Sequence, residues 1–294
     1  MQALRTPDSR FENLPDYNFK PNYFEVDGLR MHYVDEGPKD GAVVLLLHGE
    51  PSWSYLYRHM IPPLRDARFR VIAPDLIGFG KSDKPVIKSA YSYAGHVSWM
   101  KQFIESLDLE EITLFCQDWG SLIGLRVAAE NKQRFARIAL GNGGLVTGDQ
   151  KLPTAFRIWQ NFARFSPWFP IGKLIQKGTV KELSDAEVLA YDAPFPSAKF
   201  KAGARAFPLL VPSTPDDPAT EANRAAWAVF EEWQKPFLTT FSNRDPITRG
   251  GEKVWQKTVP GAERFEHVKI RNAGHFLQED KGSELAEVLI AFAS

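Results

Sequence analysis

The stretch Ile112-Thr-Leu-Phe-Cys-Gln-Asp-Trp-Gly-Ser-Leu-Ile-Gly-Leu-Arg-Val-Ala-Ala-Glu130 decides how the rest of the chain is read. Ile112 to Gln117 is a short apolar run of strand length, and Ser121 to Glu130 carries an apolar helical pattern. Only Asp118-Trp119-Gly120 separates them, so a strand must turn sharply into a helix. Such a turn, with small neighbours on either side of its central residue, projects that side chain above a sheet, as in the G-x-S-x-G elbow. Here Cys116 and Gly120 are the small neighbours and the projected group is the carboxylate of Asp118. The helix N-terminus favours negative charge there, but an aspartate at that place is equally an N-cap. The tetrapeptide alone leaves both readings open.

Outward from the elbow, the chain alternates strands and helices. Ala42 to Leu47 reads as a strand buried on both faces, as parallel sheets require. Further strands are expected at Arg70 to Ala73, Ile138 to Gly141, Pro236 to Phe241 and Val268 to Ile270. A helical pattern covers Tyr91 to Leu107, and Leu285, Val288, Leu289 and Phe292 fall on one face of a C-terminal helix. Tyr23 to Val26 and Met31 to Val34 flank Asp27-Gly28, which suits a tight hairpin and adds an antiparallel margin. The alternation predicts an α/β fold with a mostly parallel central sheet covered by helices on both sides. It breaks between about Leu145 and Trp227, where aromatics and prolines crowd Phe165-Ser-Pro-Trp-Phe-Pro170 and Tyr191-Asp-Ala-Pro-Phe-Pro196. The expectation is a helical cap over residues 145–227, inserted into a core domain of residues 1–144 and 228–294.

Composition narrows the function. The 294 residues carry 36 Lys+Arg against 36 Asp+Glu, with 44% hydrophobic and 24% charged residues, an ordinary globular balance. Zero net charge argues against a broad electrostatic footprint for nucleic acid or an anionic membrane. The single Cys116 excludes an internal disulfide. The N-terminal segment lacks an apolar run of the signal type, and the longest apolar stretch, Ala42 to Leu47, is far below the ~20 residues that span a bilayer. A soluble, cytoplasmic protein is the expectation. Neither a metal-ligand cluster nor an early Gly-rich dinucleotide loop is visible, so no metal and no organic cofactor are expected.

Ligands of open α/β sheets bind at the carboxyl ends of the strands, so the residues after each strand are the candidates. Leu47-His48-Gly49-Glu50-Pro51 offers a Gly-containing turn whose backbone N–H can form half of an oxyanion hole. His48 itself is read as structural. Asp245, in Asn243-Arg-Asp-Pro246, is on its own a turn residue before proline. His275, in Asn272-Ala-Gly-His-Phe276, is on its own a capping residue of the last helix. Their order changes this: elbow carboxylate, then acid, then histidine is the α/β-hydrolase triad order, each member at a strand end. His59, His96 and His267 lack such company and are read as surface or packing residues.

With these residues in hand the chain resembles a known family. His48-Gly-Glu-Pro-Ser-Trp-Ser-Tyr-Leu-Tyr-Arg58, Asp75-Leu-Ile-Gly-Phe-Gly-Lys-Ser-Asp-Lys-Pro85 and Gln117-Asp-Trp-Gly120 are similar to the haloalkane dehalogenases of the α/β-hydrolase superfamily. Tyr191-Asp-Ala-Pro-Phe-Pro196 and Ala273-Gly-His-Phe276 fit as well. Within the family it resembles the first subfamily, in which Glu follows His-Gly and the catalytic acid follows the penultimate strand. Glu50 and Asp245 occupy those places, whereas the alternative position of the acid holds Asn142, which cannot serve as a carboxylate.

The resemblance implies hydrolytic conversion of a haloalkane to a primary alcohol, halide and a proton. Asp118 would attack saturated carbon and form an alkyl ester, and His275 would activate the water that hydrolyses it. Asp245 would orient the imidazole, and the backbone N–H groups of Glu50 and Trp119 would hold the oxyanion. Indole N–H is a donor without acceptor character, suited to a halide. Trp119 is the first halide donor, and the second comes from the cap, where Trp159, Trp168 and Trp227 compete. Trp159 lies where the early cap helix is expected, while Trp168 sits in a proline-flanked loop. The partners implied are a small halogenated aliphatic substrate, halide and water, with a monomer expected. Phe165, Phe195, Phe207 and Leu210 are the candidate walls of the substrate cavity.

Three rival readings fit less well. An epoxide hydrolase with the same triad needs two cap tyrosines to protonate the alkoxide, and residues 145–227 contain only Tyr191. A fluoroacetate dehalogenase would place arginine where Trp119 stands. A catalytically dead hydrolase-fold binder typically loses a triad member, and all three are retained.

Overall fold

In the computed structural model, which describes residues 2–294, the chain builds ten strands and ten α-helices. The strands are β1 (Ala3–Leu4), β2 (Asn22–Val26), β3 (Leu29–Glu36), β4 (Val43–Leu47), β5 (Arg70–Pro74), β6 (Lys84–Pro85), β7 (Ile112–Cys116), β8 (Phe135–Leu140), β9 (Phe237–Ser242) and β10 (Val268–Ile270). The helices are α1 (Ile61–Asp66), α2 (Tyr93–Ser106), α3 (Trp119–Glu130), α4 (Thr154–Phe165), α5 (Ile171–Gly178), α6 (Asp185–Asp192), α7 (Ala202–Leu210), α8 (Thr220–Glu231), α9 (Glu252–Thr258) and α10 (Leu277–Ala293).

Eight strands form one sheet in the order β10-β9-β8-β7-β4-β5-β3-β2. The six from β10 to β5 run parallel, and β3 and β2 join antiparallel at one margin. The hairpin turn has Asp27 at φ 51° and Gly28 at φ 73°, the pair of positive values that matches the twist of the flanking strands. Strands β4 and β7 are buried along their whole length, which is why they read as unbroken apolar runs rather than alternating ones. In register, Leu47 pairs with Cys116 and Cys116 with Leu140. The carboxyl ends of β4, β7 and β8 therefore lie side by side, and the loops leaving them converge at one edge.

The predicted α/β architecture holds. Sequence reasoning missed the two-residue pair β1–β6, which closes antiparallel but is too short to carry a period. Between β8 and β9 the chain leaves the sheet for α4 to α8. Helix α8 packs against α3, so position 227 falls within an element that touches the sheet's own layer.

A buried charge cluster ties α6 to the helices of the sheet. Arg58 reaches Glu279 at 2.5 and 2.7 Å and Glu187 at 2.9 Å, and Tyr191 donates its hydroxyl to Glu279. Arg58 and Glu279 are fully buried, so each needs the other to offset its lost hydration.

Candidate active site

The elbow is built by close backbone approach. Asp118 has φ 51° and ψ −126°, a conformation that costs an L-residue of order 1–3 kcal/mol and persists only where its surroundings impose it. A Cβ on Gly120 would stand 1.9 Å from the Leu47 carbonyl oxygen, and one on Gly49 would stand 2.3 Å from Oδ1 of Asp118. Both glycines are therefore steric requirements of the turn. The Asp118 N–H donates to the Asn142 carbonyl at 3.0 Å, and its own carbonyl accepts from the Ser121 and Leu122 N–H groups. Its side chain caps nothing in α3. The N-cap alternative fails here, because the carboxylate points away from its own helix.

Where it points is towards His275. Nε2 of His275 lies 3.4 Å from Oδ2 of Asp118, and Nδ1 lies 3.1 Å from Oδ2 of Asp245. Burial alone would strip the charge from His275, but the Asp245 and Asp118 carboxylates push it up to about 10. Burial likewise opposes the charge on Asp245. His275, the Thr248 hydroxyl and the Ile247 N–H outweigh it and hold the carboxyl at about 2. The remaining oxygen of Asp118, Oδ1, accepts the Glu50 backbone N–H at 2.7 Å. The Glu50 side chain is buried beside Asp118, and burial first, then that neighbour, raises it well above the usual carboxyl range.

Several supporting residues escape a reading of the sequence. Gln117 places its Nε2 3.2 Å from both Nε2 and the backbone carbonyl of His275. A carbonyl only accepts, so the amide nitrogen, not the oxygen, must face the imidazole. Asn142, unable to replace the acid, donates to the Gly274 and His275 carbonyls at 2.8 and 3.0 Å and accepts from the Ser242 N–H. It pins the ends of β8 and β9 to the His275 loop. The only sequence signal of these two amides is adjacency to a strand end.

Above Asp118 lies a cavity of about 340 Å³. Its inner wall is apolar, formed by Trp119, Leu122, Leu145, Phe156, Trp227 and Trp255 among others. The Trp119 indole N–H is buried with no hydrogen-bond partner among the described residues, an unusual cost at the position next to Asp118. Trp159, on α4, donates to Oε2 of Glu50 at 3.2 Å. Trp227 is committed to the Leu145 carbonyl, and Trp168 is 63% exposed.

Four expected cavity walls need correction. Phe165 is 72% exposed on the outer end of α4, Phe195 packs on Phe79, and neither they, Phe207 nor Leu210 lines the cavity. The centroid of the Phe207 ring is 4.6 Å from that of Trp119, which does line the cavity. Aromatic residues in an inserted segment are needed to bury that segment on the sheet layer, and composition does not separate this from lining a void.

The other histidines have structural partners. His48 donates from Nδ1 to the Gly49 carbonyl and accepts the Leu76 N–H at Nε2. His96 sits among Tyr91, Trp99 and Phe207, where burial holds it near 3. His267 accepts the Thr239 N–H. His59, Glu187 and Glu279 lie close enough to share a cation, but Arg58 already occupies both carboxylates.

Fold and site together define an α/β hydrolase whose elbow carries a carboxylate. The family model described as alpha/beta hydrolase fold matches residues 42–282. A haloalkane dehalogenase of Psychrobacter cryohalolentis is 59% identical over 99% of this chain and 98% of its own, and one of Mycobacterium marinum is 54% identical over 99% and 100%. Among solved structures, the tetrameric haloalkane dehalogenase DpaA from Paraglaciecola agarilytica superposes with a TM-score of 0.93 at 38% identity, covering 99% of this chain and 98% of that one. The chain belongs to the haloalkane dehalogenase family. It is a hydrolase acting on carbon–halide bonds, and the epoxide hydrolase alternative is not favoured. Consistently, Tyr191 gives its hydroxyl to Glu279 and does not line the cavity, so no tyrosine of residues 145–227 faces Asp118.

Proposed function

We propose that Asp118 is the nucleophile, His275 the general base and Asp245 the acid that orients it. The observation that carries this reading is the single imidazole bridging two carboxylates, 3.4 Å from one and 3.1 Å from the other. In the first step an Asp118 oxygen forms a bond to saturated carbon as the carbon–halogen bond breaks. The halide leaves with the bonding pair and meets the unpartnered N–H of Trp119. Trp159 is the second halide donor once it releases Glu50. In the second step His275 takes a proton from water, which attacks Cγ of the ester. The oxyanion is held by the backbone N–H groups of Glu50 and Trp119, and alcohol departs.

Two carboxylates favour the protonated form of His275 before reaction. Esterification removes the charge of one of them, so the imidazole gives that proton to solvent and stands neutral, ready to take one from the attacking water.

Residues 145–227 serve as a helical cap over a core of residues 1–144 and 228–294. A monomer is proposed as the catalytic unit. No helix of the described residues is long and apolar enough to cross a membrane, which suits the cytoplasmic placement read from sequence.

The test is to trap the intermediate. His275→Gln or His275→Phe with 1-bromobutane should release one bromide per enzyme and leave a butyl mass on the peptide carrying Asp118, while Asp118→Ala should release none. A mass on Ser121, or no mass, overturns the assignment.

A further inference from the structure

The cavity above Asp118 is uneven in charge. Apart from Asp118 itself, the only charged side chains among its described walls are Lys151 and Arg249. Both are exposed, so they stand at the solvent end of a cavity whose interior is apolar. The carboxylates nearest to them in the chain are engaged elsewhere. Asp149 pairs with Arg224 at 2.6 Å and accepts the Thr147 hydroxyl. Asp245 is turned inward to His275, and Glu252 pairs with Lys269. No ion pair to Lys151 or Arg249 occurs among the described residues, and neither side chain is held by a hydrogen bond.

We propose that Lys151 and Arg249 form an anion-attracting rim, and that the favoured substrates carry a halogen at one end of an apolar chain and a carboxylate at the other. This rests on Asp118 being the nucleophile at the cavity floor. The halogenated end descends past Leu122 and Trp227 to Asp118, the methylene chain takes the apolar wall, and the carboxylate stays at the exposed rim. There it keeps most of its hydration, so the large penalty of burying a charge does not arise. The reaction is unchanged: carbon–halogen bond broken, alcohol oxygen gained from water, halide and one proton released, and the distal carboxylate untouched. Two exposed ion pairs together account for about a three- to tenfold preference, and the attraction weakens as salt rises.

The experiment compares 6-bromohexanoate with its methyl ester, by bromide release, in the unaltered enzyme and in Lys151→Gln/Arg249→Gln. The double variant should lose about three- to tenfold in kcat/KM for the carboxylate, through KM, and less than twofold for the ester. Sodium sulfate should erode the carboxylate advantage of the unaltered enzyme in the same way, whereas chloride would confuse matters by competing for the halide site. Lys151→Glu/Arg249→Glu should reverse the preference. Equal losses on both substrates, no loss on the carboxylate, or a lower kcat on the ester alone (a rim acting only on the departing halide) overturns the rim. Failure of the unaltered enzyme to release bromide from the ester would instead overturn the reading of the cavity floor.

Discussion

The backbone N–H of Glu50 donates to Oδ1 of Asp118 at 2.7 Å, while Oδ2 of the same carboxylate faces Nε2 of His275 at 3.4 Å. The two oxygens of Asp118 are thereby made unequal. In the mechanism proposed above, Oδ1, already held by the Glu50 N–H, would become the carbonyl oxygen of the ester, and Oδ2 would be the one to bond carbon. A single turnover with enzyme in excess, run in 18O-water, should therefore give unlabelled alcohol and place the label in Asp118. Label in the alcohol on that first turnover would mean that water displaces the halide directly.

The charge state of His275 depends on the same carboxylate. In Asp118→Asn, which like the ester is neutral, the imidazole should titrate about 1–3 units below its value of about 10, as followed by NMR of the ring protons. The sign of the linked stability is fixed by the same shifts. A histidine raised from 6.5 stabilises the fold fully below about pH 6.5 and loses that contribution as pH rises through about 10. Asp245, lowered from 3.8 to about 2, contributes above about pH 3.8 and loses it as pH falls towards 2. An unshifted imidazole in Asp118→Asn would show that Asp118 does not set its charge.

Halide affinity should divide unequally between two indoles. Trp119 has a buried N–H with no partner, and a hydrogen bond to a charged group is worth ~1.5–3 kcal/mol. Trp119→Phe should weaken bromide binding about 10- to 100-fold, measured calorimetrically. Trp159 must first give up Glu50, 3.2 Å away, so Trp159→Phe should cost less, about tenfold or under. Unchanged affinity in Trp159→Phe would assign the second donor to another residue of the inserted segment.

Much of this was legible in the chain, and for identifiable reasons. Strands β4 and β7 announce themselves because both faces are buried, and Asp118, Asp245 and His275 because chemistry confines them to strand ends in a fixed order. Asn142 and Gln117 were not legible as struts. Their partners are backbone carbonyls and a histidine 133 and 158 positions away, and an amide carries no mark of which distant group it will meet. The cavity walls failed for a related reason: Phe165 and Phe156 sit on the same helix, and only the docking of that helix decides which faces outward.

The charge cluster around Arg58 should dominate the energetics of the inserted helices. Arg58→Ala leaves the buried Glu279 with only Lys181, 3.6 Å away, while Glu187 keeps Lys181 at 2.9 Å, and breaking a buried pair in this way costs about 3–5 kcal/mol. The urea midpoint should fall accordingly. Arg58→Met/Glu279→Leu, which removes both charges, should recover much of the loss. A single variant as stable as the parent would show that the two carboxylates are hydrated after all.

Because that cluster fastens α6 to Arg58 and α10, this stretch of the inserted segment is bolted down, whereas Lys151 and Arg249 stand exposed on the cavity wall. Molecules arriving or departing on that side must pass both cations, and a bottleneck there would limit turnover however fast the chemistry below it runs.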